Sequence, residues 1–345
     1  MSDDFLLWDT THQSPRRDEF QVEPFRPAAG FGNGHAQTLL ATQLRPRGII
    51  FQRVRLNTAD GDFLDLDLPT VAGMPLPADA PVVLLLHGLE GDARRAYALE
   101  MYRQLAAHGV RSVGMNFRSC SGELNRTARA YHAGATDDVA VVHQWLDGRF
   151  PGVAKGMVGV SLGANMLLKY LGERGMELAI RLRAAAVLSP PFDLGIGGER
   201  MQEGINRQYA ASFISSIQEK IRAKASLVSP YIHLQKALEA TTLRELDDAY
   251  TAPLHGFSNA EDYYARCSSR RFLAGIQVPT LILRALDDPL LSPKDIPHEL
   301  LNYNRALQAV ITEHGGHVGW VEGNPLAFKL WAERQAAAFL ARYLL

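Results

Sequence analysis

A serine with glycines two residues before it and two after it, Gly159-Val160-Ser161-Leu162-Gly163, sits where the chain changes from one periodicity to another. Upstream, Met157-Val158-Gly159-Val160 is a short apolar, β-prone run; downstream, Leu162, Met166, Leu167, Tyr170 and Leu171 recur at the spacing of one helix face. Gly175 can end that helix in a left-handed conformation. A strand that turns into a helix within one residue forces the serine into strained backbone angles and lifts its hydroxyl clear of the sheet. The flanking glycines leave room where strand and helix crowd each other. In a chain with 29 glycines among 345 residues the five-residue pattern alone carries little, and a catalytic serine needs partners elsewhere in the chain.

The surrounding pattern is that of a parallel sheet. Val82 to Leu86 is an apolar strand, followed by a helix bearing Tyr97, Met101 and Leu105 and closed by Gly109. Arg111 to Asn116 reads as the next strand. Thr136 is then expected to cap a helix whose first turn holds Asp137 and Asp138 and whose buried side carries Val139, Val142, Trp145 and Leu146. Ala184 to Leu188, Thr280 to Ala285 and Ala309 to Thr312 read as further strands, and a last helix carries Ala332, Ala336, Phe339, Leu340 and Tyr343. Strands alternating with helices imply βαβ units. Ahead of them, Phe51 to Leu56 and Phe63 to Leu68 flank Asp60-Gly61, a hairpin signal. Between Pro190 and Leu273 the alternation lapses into a helical, mixed-charge stretch with Ile214, Ile217 and Ile221 on one face. We read it as a lid inserted into one domain.

Composition narrows the function classes. Lys and Arg total 36 against 37 acids, so no global field favours nucleic acid or an anionic membrane. Cys120 and Cys267 offer neither a disulfide framework nor a zinc cluster, which predicts reduced thiols and a cytoplasmic protein. Leu6-Leu7-Trp8 lies among Asp3, Asp4 and Asp9; peripheral membrane contact through it stays open although these acids oppose it, and the segment lacks the basic start of a secretory signal. The Val82 to Leu86 run is far too short to span a bilayer.

A serine hydroxyl is a weak nucleophile and needs a base and an acid that orients the base. After an elbow of this kind the expected chain order is Ser, acid, His. Leu281-Ile282-Leu283-Arg284-Ala285-Leu286 runs into Asp287-Asp288-Pro289, which places a carboxylate at the carboxyl edge of the sheet. Counting from Pro279, which opens that strand, favours Asp288, with Asp287 as the alternative acid. His317, behind Gly315-Gly316, is the expected base; His314 reads as a surface or packing residue. His35, His132, His143 and His255 read as structural, with His132 and His255 as candidate pocket residues. The oxyanion formed by attack needs two backbone N–H donors. Leu162, next after the serine, supplies one, and Leu89 in His87-Gly88-Leu89-Glu90-Gly91 is the candidate for the other. Cys120 has no elbow and no base and reads as a packing thiol.

With these residues in hand, the chain resembles the α/β-hydrolase branch of bacterial YheT-type hydrolases and the ABHD1/ABHD3-like and EMB8-like proteins. The resemblance rests on Gly32-Asn33-Gly34-His35-Ala36-Gln37-Thr38, His87-Gly88-Leu89-Glu90-Gly91, Asn116-Phe117-Arg118-Ser119-Cys120-Ser121-Gly122-Glu123 and Tyr131-His132-Ala133-Gly134. It also rests on His255-Gly256-Phe257 with Asp262-Tyr263-Tyr264, and on Gly315-Gly316-His317-Val318-Gly319. Ser119 departs from the glycine expected in its block. The resemblance implies an α/β-hydrolase fold, a mostly parallel sheet of about eight strands with helices on both faces and a helical lid insertion. Met1 to Gly30, polar and carrying Pro15, Pro24 and Pro27, reads as an N-terminal arm ahead of one domain over 31–345, with the lid at about 191–272. The resemblance further implies a serine esterase or lipase-like enzyme acting on a small ester or lipid substrate through Ser161, Asp288 (or Asp287) and His317, with no metal or organic cofactor. An acyltransferase or thioesterase would use the same residues; a non-catalytic binding module is the reading from a different class.

Overall fold

The computed structural model describes residues 19–345. Val82–Leu86 (β3) shows why a parallel sheet forms: all five residues are buried, as a central strand covered on both faces requires. Its side chains alternate: Val82, Leu84 and Leu86 join the core on one face, and Val83 and Leu85 join the core on the other. Around it the strands Ile49–Asn57 (β1), Phe63–Val71 (β2), Arg111–Asn116 (β4), Lys155–Val160 (β5), Ala184–Leu188 (β6), Thr280–Ala285 (β7) and Leu307–Thr312 (β8) complete an eight-stranded sheet. Its order is β1-β2-β4-β3-β5-β6-β7-β8. β1 and β2 form the expected hairpin, with Gly61 at φ 78° in its turn, and β2 meets β4 antiparallel. The remaining pairings within this sheet are parallel.

Gly34–Gln43 (α1) precedes the sheet; Ala96–Ala107 (α2), Thr136–Arg149 (α3) and Leu162–Arg174 (α4) connect its strands. Met101, Tyr102 and Leu105 of α2 share one face with Ala336 and Leu340 of the C-terminal helix Trp331–Leu344. Val139, Val142 and Leu146 of α3 and Met166, Leu167 and Tyr170 of α4 cover the other. Thr136 does not cap α3: Ala135 holds the cap position, and the Thr136 hydroxyl donates to Glu173 on α4 at 2.7 Å instead. As the first residue of the helix, Thr136 lies one position past the cap, and its hydroxyl is used to tie α3 to α4.

Residues 19–30 run over the body. Phe20 packs edge-on against Phe339, Phe25 packs on Trp331, and the Trp331 indole N–H donates to the Glu23 carbonyl at 3.0 Å. Leu6-Leu7-Trp8 lies outside the described residues. Between β6 and β7 the chain forms a helical insertion around Asn206–Ala223. It has its own small core of Met201, Ile214, Ile221, Leu246 and Tyr250, joined by Leu290 and Leu291 from the body. Ile214 and Ile221 are therefore packing residues, whereas Ile217 lines a cavity. Among the described residues no helix is long and apolar enough to cross a membrane.

Candidate active site

From β3 the chain winds towards β4, and from β5 it winds the opposite way through β6 and β7, so the strand order reverses between β3 and β5. Crevices form beyond the carboxyl ends of strands at such a reversal. The loop at His87 leaves β3 there and Ser161 leaves β5 there.

Ser161 has φ 54° and ψ −119°, the strained turn its sequence context predicts. The flanking glycines are required by space. A Cβ on Gly159 would lie 2.6 Å from the Gly163 carbonyl oxygen, and one on Gly163 would lie 2.4 Å from the carbonyl oxygens of Leu86 and His87. The Ser161 Oγ is 2.9 Å from His317 Nε2, and His317 Nδ1 is 2.8 Å from Asp288 Oδ2. A neutral imidazole that donates from Nδ1 to the carboxylate leaves Nε2 free to accept the serine proton.

Of the two adjacent aspartates, only Asp288 touches His317. It is fully buried, and its other oxygen accepts from the Leu290 and Leu291 amides at 2.9 and 3.1 Å. Burial opposes its charge, but His317, Arg284 and these amides outweigh burial and hold the carboxyl below its ordinary range. Asp287 instead accepts from the Gly316 amide at 2.8 Å and faces His314 at 3.5 Å; burial pushes its carboxyl up. His314 is 40% exposed, a surface residue as its position suggests.

Sequence reasoning missed Arg284. Its guanidinium, fully buried, lies 2.9 Å from Asp288 Oδ2 and 3.4 Å from Asp295 Oδ1. The signal was present: one charge inside the otherwise apolar strand Leu281 to Leu286 must have a buried partner.

At the end of β3, the buried His87 ring accepts the Phe117 N–H at Nε2, 3.1 Å away, and donates from Nδ1 to the Gly88 carbonyl at 2.7 Å. Burial pushes its pKa down to about 3, so the ring is neutral. The Gly91 N–H also donates to the Gly88 carbonyl, at 3.0 Å. In a trans peptide the N–H points opposite to the C=O, so the Leu89 N–H is turned away from His87 and Gly91. The Gly88 and Glu90 amides donate to the Tyr97 and Tyr131 hydroxyls, leaving Leu89 as the loop amide with no acceptor among the described residues. Leu162 is the first residue of α4, where helix geometry provides no acceptor for its N–H. Leu89, Leu162, Ser161 and His317 line one cavity of about 170 Å³, whose walls include Phe213, Ile217 and Leu291.

The model of the α/β-hydrolase fold family matches residues 81–323. The chain belongs to the α/β-hydrolase family. It is 36% identical to the putative esterase YheT of Escherichia coli K12 over 93% of this chain and 94% of that protein. It is 30% identical to the embryogenesis-associated protein EMB8 of Picea glauca over 88% of this chain and 69% of that one. It is also 30% identical to the phospholipase ABHD3 of Mus musculus over 88% and 74%. Among solved structures, the Pyrococcus furiosus esterase Pf2001 superposes with a TM-score of 0.54 at 15% identity, covering 86% of this chain and 94% of its own. That likeness speaks to the fold.

The blocks that carry the resemblance acquire physical roles in this α/β-hydrolase. Asn33 caps α1 by accepting from the His35 and Ala36 amides, and the helix buttresses the His317 loop. The Thr38 hydroxyl accepts the His317 amide N–H at 2.9 Å, and the buried Gln37 amide exchanges hydrogen bonds with the Val321 backbone. Gly34 has no space for a side chain: its Cβ would lie 2.0 Å from the Asp287 carbonyl oxygen. Gly34→Ala is therefore expected to displace the acid loop. We expect kcat to fall by about 10²-fold, the cost of roughly an ångström of misplacement at reacting groups. The check is ester turnover beside a thermal melt; unchanged turnover would refute the role given to Gly34.

Arg118 is structural. Its guanidinium is buried and pairs with Asp62 and Asp138 at 2.7 Å and with Asp60 at 3.0 Å. Ser119 adopts φ 62°, which explains the expectation of glycine there, and its hydroxyl donates to Asn125 Oδ1 at 2.6 Å. Cys120 and Cys267 are buried free thiols, each pushed up to about 12 by burial. His132 lines the cavity, with the His255 ring 4.4 Å from its own, while His143 and His35 bond to the Tyr170 and Tyr209 hydroxyls.

Proposed function

We propose that this α/β-hydrolase cleaves carboxylic esters by acyl transfer to Ser161. His317 Nε2 takes the hydroxyl proton as Oγ attacks the ester carbonyl, and the C=O π pair moves onto oxygen. The Leu89 and Leu162 N–H groups meet that oxyanion. Collapse expels the alcohol, which receives the proton from His317, and leaves an acyl-Ser161. Water, deprotonated by His317, then attacks the acyl carbon, releases the acid and restores the serine. Asp288 keeps the His317 proton on Nδ1 and stabilises the imidazolium.

The observation that carries this reading is the relay of 2.9 and 2.8 Å contacts from a serine at φ 54° through His317 to the buried Asp288. The apolar walls supplied by the insertion support short- to medium-chain or lipid-like acyl esters as substrates, with the insertion acting as a lid over them. Relatives bearing the names esterase and phospholipase support the same class.

A fluorophosphonate probe should label Ser161 in the folded protein, located by peptide mass spectrometry. p-Nitrophenyl esters of increasing chain length should show kcat/KM rising to a maximum and then falling as the cavity fills. Absence of labelling together with absence of turnover across the series would overturn the proposal.

A further inference from the structure

Glu90 follows the candidate oxyanion donor Leu89 and occupies the left-handed region, φ 51°, which a residue with a Cβ adopts only when its surroundings impose it. The constraints are visible on every side of the residue. Its N–H donates to the Tyr131 hydroxyl at 3.0 Å, and that hydroxyl donates back to Glu90 Oε1 at 2.6 Å, so one phenol closes a ring with the backbone and the side chain of the same residue. Its carbonyl accepts from Arg95 at 2.7 Å. Its carboxylate, 5% exposed, is neutralised by Lys220 Nζ at 2.8 Å and also accepts from the Ser216 hydroxyl.

Ser216 and Lys220 lie one turn apart on Asn206–Ala223, the long helix of the insertion, 126 and 130 residues from Glu90 in sequence. Tyr131 belongs to the loop between β4 and α3 and stacks on Phe117 with ring centroids 5.4 Å apart. Two separate segments thus converge on the residue beside the peptide that would meet the oxyanion. A buried carboxylate stays in place only while its counter-charge and donors do.

We propose that Glu90, Lys220 and Tyr131 are positioning residues that hold the Gly88–Leu89 peptide ready for the oxyanion, so that docking of the insertion helix through Lys220 sets the rate of acyl transfer. This inference rests on the serine-esterase reading. When Lys220 is absent the Glu90 carboxylate must seek water, the left-handed turn relaxes, and the Leu89 N–H leaves its orientation. Losing an oxyanion donor outright costs about 10²- to 10³-fold in kcat, so a misaimed donor is expected to cost about tenfold to a hundredfold.

The test uses p-nitrophenyl acetate, whose acyl group is too short to reach the walls that Lys220 helps to line. In Lys220→Met, kcat should fall by about tenfold or more while KM changes little, because an oxyanion donor acts on the transition state and leaves ground-state binding alone. Lys220→Arg should recover most of the loss, and the pH profile of the remaining activity should keep its shape because His317 is untouched. Tyr131→Phe keeps the ring against Phe117 and removes only the hydroxyl; it should reproduce the kcat loss if Lys220→Met fails to fold. Wild-type kcat in folded Lys220→Met or in Tyr131→Phe would overturn the proposal. A change confined to KM would do the same. Fluorophosphonate labelling of wild-type Ser161 separates the two ideas: a labelled serine with an indifferent Lys220 sinks the clasp alone, and an unlabelled one without ester turnover sinks the reading beneath it.

Discussion

Ser161→Ala is expected to lower kcat by about 10⁶-fold, the loss that follows removal of the nucleophile from a serine triad. The proposed oxyanion donors Leu89 and Leu162 and the cavity would survive, so a residual rate above that of water is expected to persist. The fold should be indifferent to the change. Ser161 makes its backbone bond to the Leu188 carbonyl through N–H, at 2.9 Å, and alanine keeps both that bond and the Cβ. The serine side chain contributes no helix cap, so α4 loses nothing either. Ser161→Gly offers a control with the opposite structural effect: it removes the same hydroxyl and relieves the φ 54° strain, and is expected to raise stability by roughly 1 kcal/mol. Two inactive variants, one as stable as the parent and one more stable, would tie the loss to the hydroxyl. Turnover within tenfold of the parent in either variant would reject Ser161 as nucleophile. The measurements are hydrolysis of p-nitrophenyl butyrate and urea denaturation.

How far the site was legible before its structure depends on how local its determinants are. The elbow was legible because crowding at one turn demands glycine at two positions within five residues, and the structure shows both demands as sub-3 Å clashes with backbone. The strands were legible because burial on both faces turns them into apolar runs, and β3 and β5 are buried throughout. The supports of His317 were not legible. Thr38 meets the His317 amide across 279 positions, and a threonine in a helix carries no mark of such a partner. The Glu90 clasp was hidden for the same reason. Ser216 and Lys220 come from a helix whose docking the sequence does not specify, and Tyr131 from a loop, although the spacing of Ile214, Ile217 and Ile221 gave that helix an apolar side. Thr136 shows the reverse error: a local rule named it a cap, and a neighbouring helix offered its hydroxyl a competing partner.

Asp288→Asn is expected to lower kcat by about 10⁴-fold, whereas Asp287→Asn should stay within a few-fold of the parent. The two residues are adjacent, and what separates them is their contacts. An asparagine at 288 can turn an amide N–H towards His317, favouring the tautomer with its proton on Nε2, which can no longer accept from Ser161. An asparagine at 287 keeps a carbonyl for the Gly316 amide, and it keeps clear of His317. Their acid responses also differ in sign. Asp288 titrates below its ordinary range in the folded state, so its contribution to stability is complete above the unfolded value of about 3.9 and is lost as pH falls through the folded one. Asp287 titrates above its ordinary range, so its ionisation costs stability as pH rises past the unfolded value, and acidification relieves that cost. Urea denaturation between pH 3 and 7 should therefore show a shallower acid loss for Asp288→Asn and a steeper one for Asp287→Asn; the reverse pattern would exchange their roles. Arg284 sets how much stability Asp288→Asn forfeits at neutral pH. With Asp288 neutral, the buried guanidinium keeps Asp295, whose carboxyl is pushed up to about 6 by burial, with the Asp288 charge adding to that shift. Removing that charge lets Asp295 ionise more readily and hold Arg284, so the variant is expected to remain folded while its histidine is wrongly protonated.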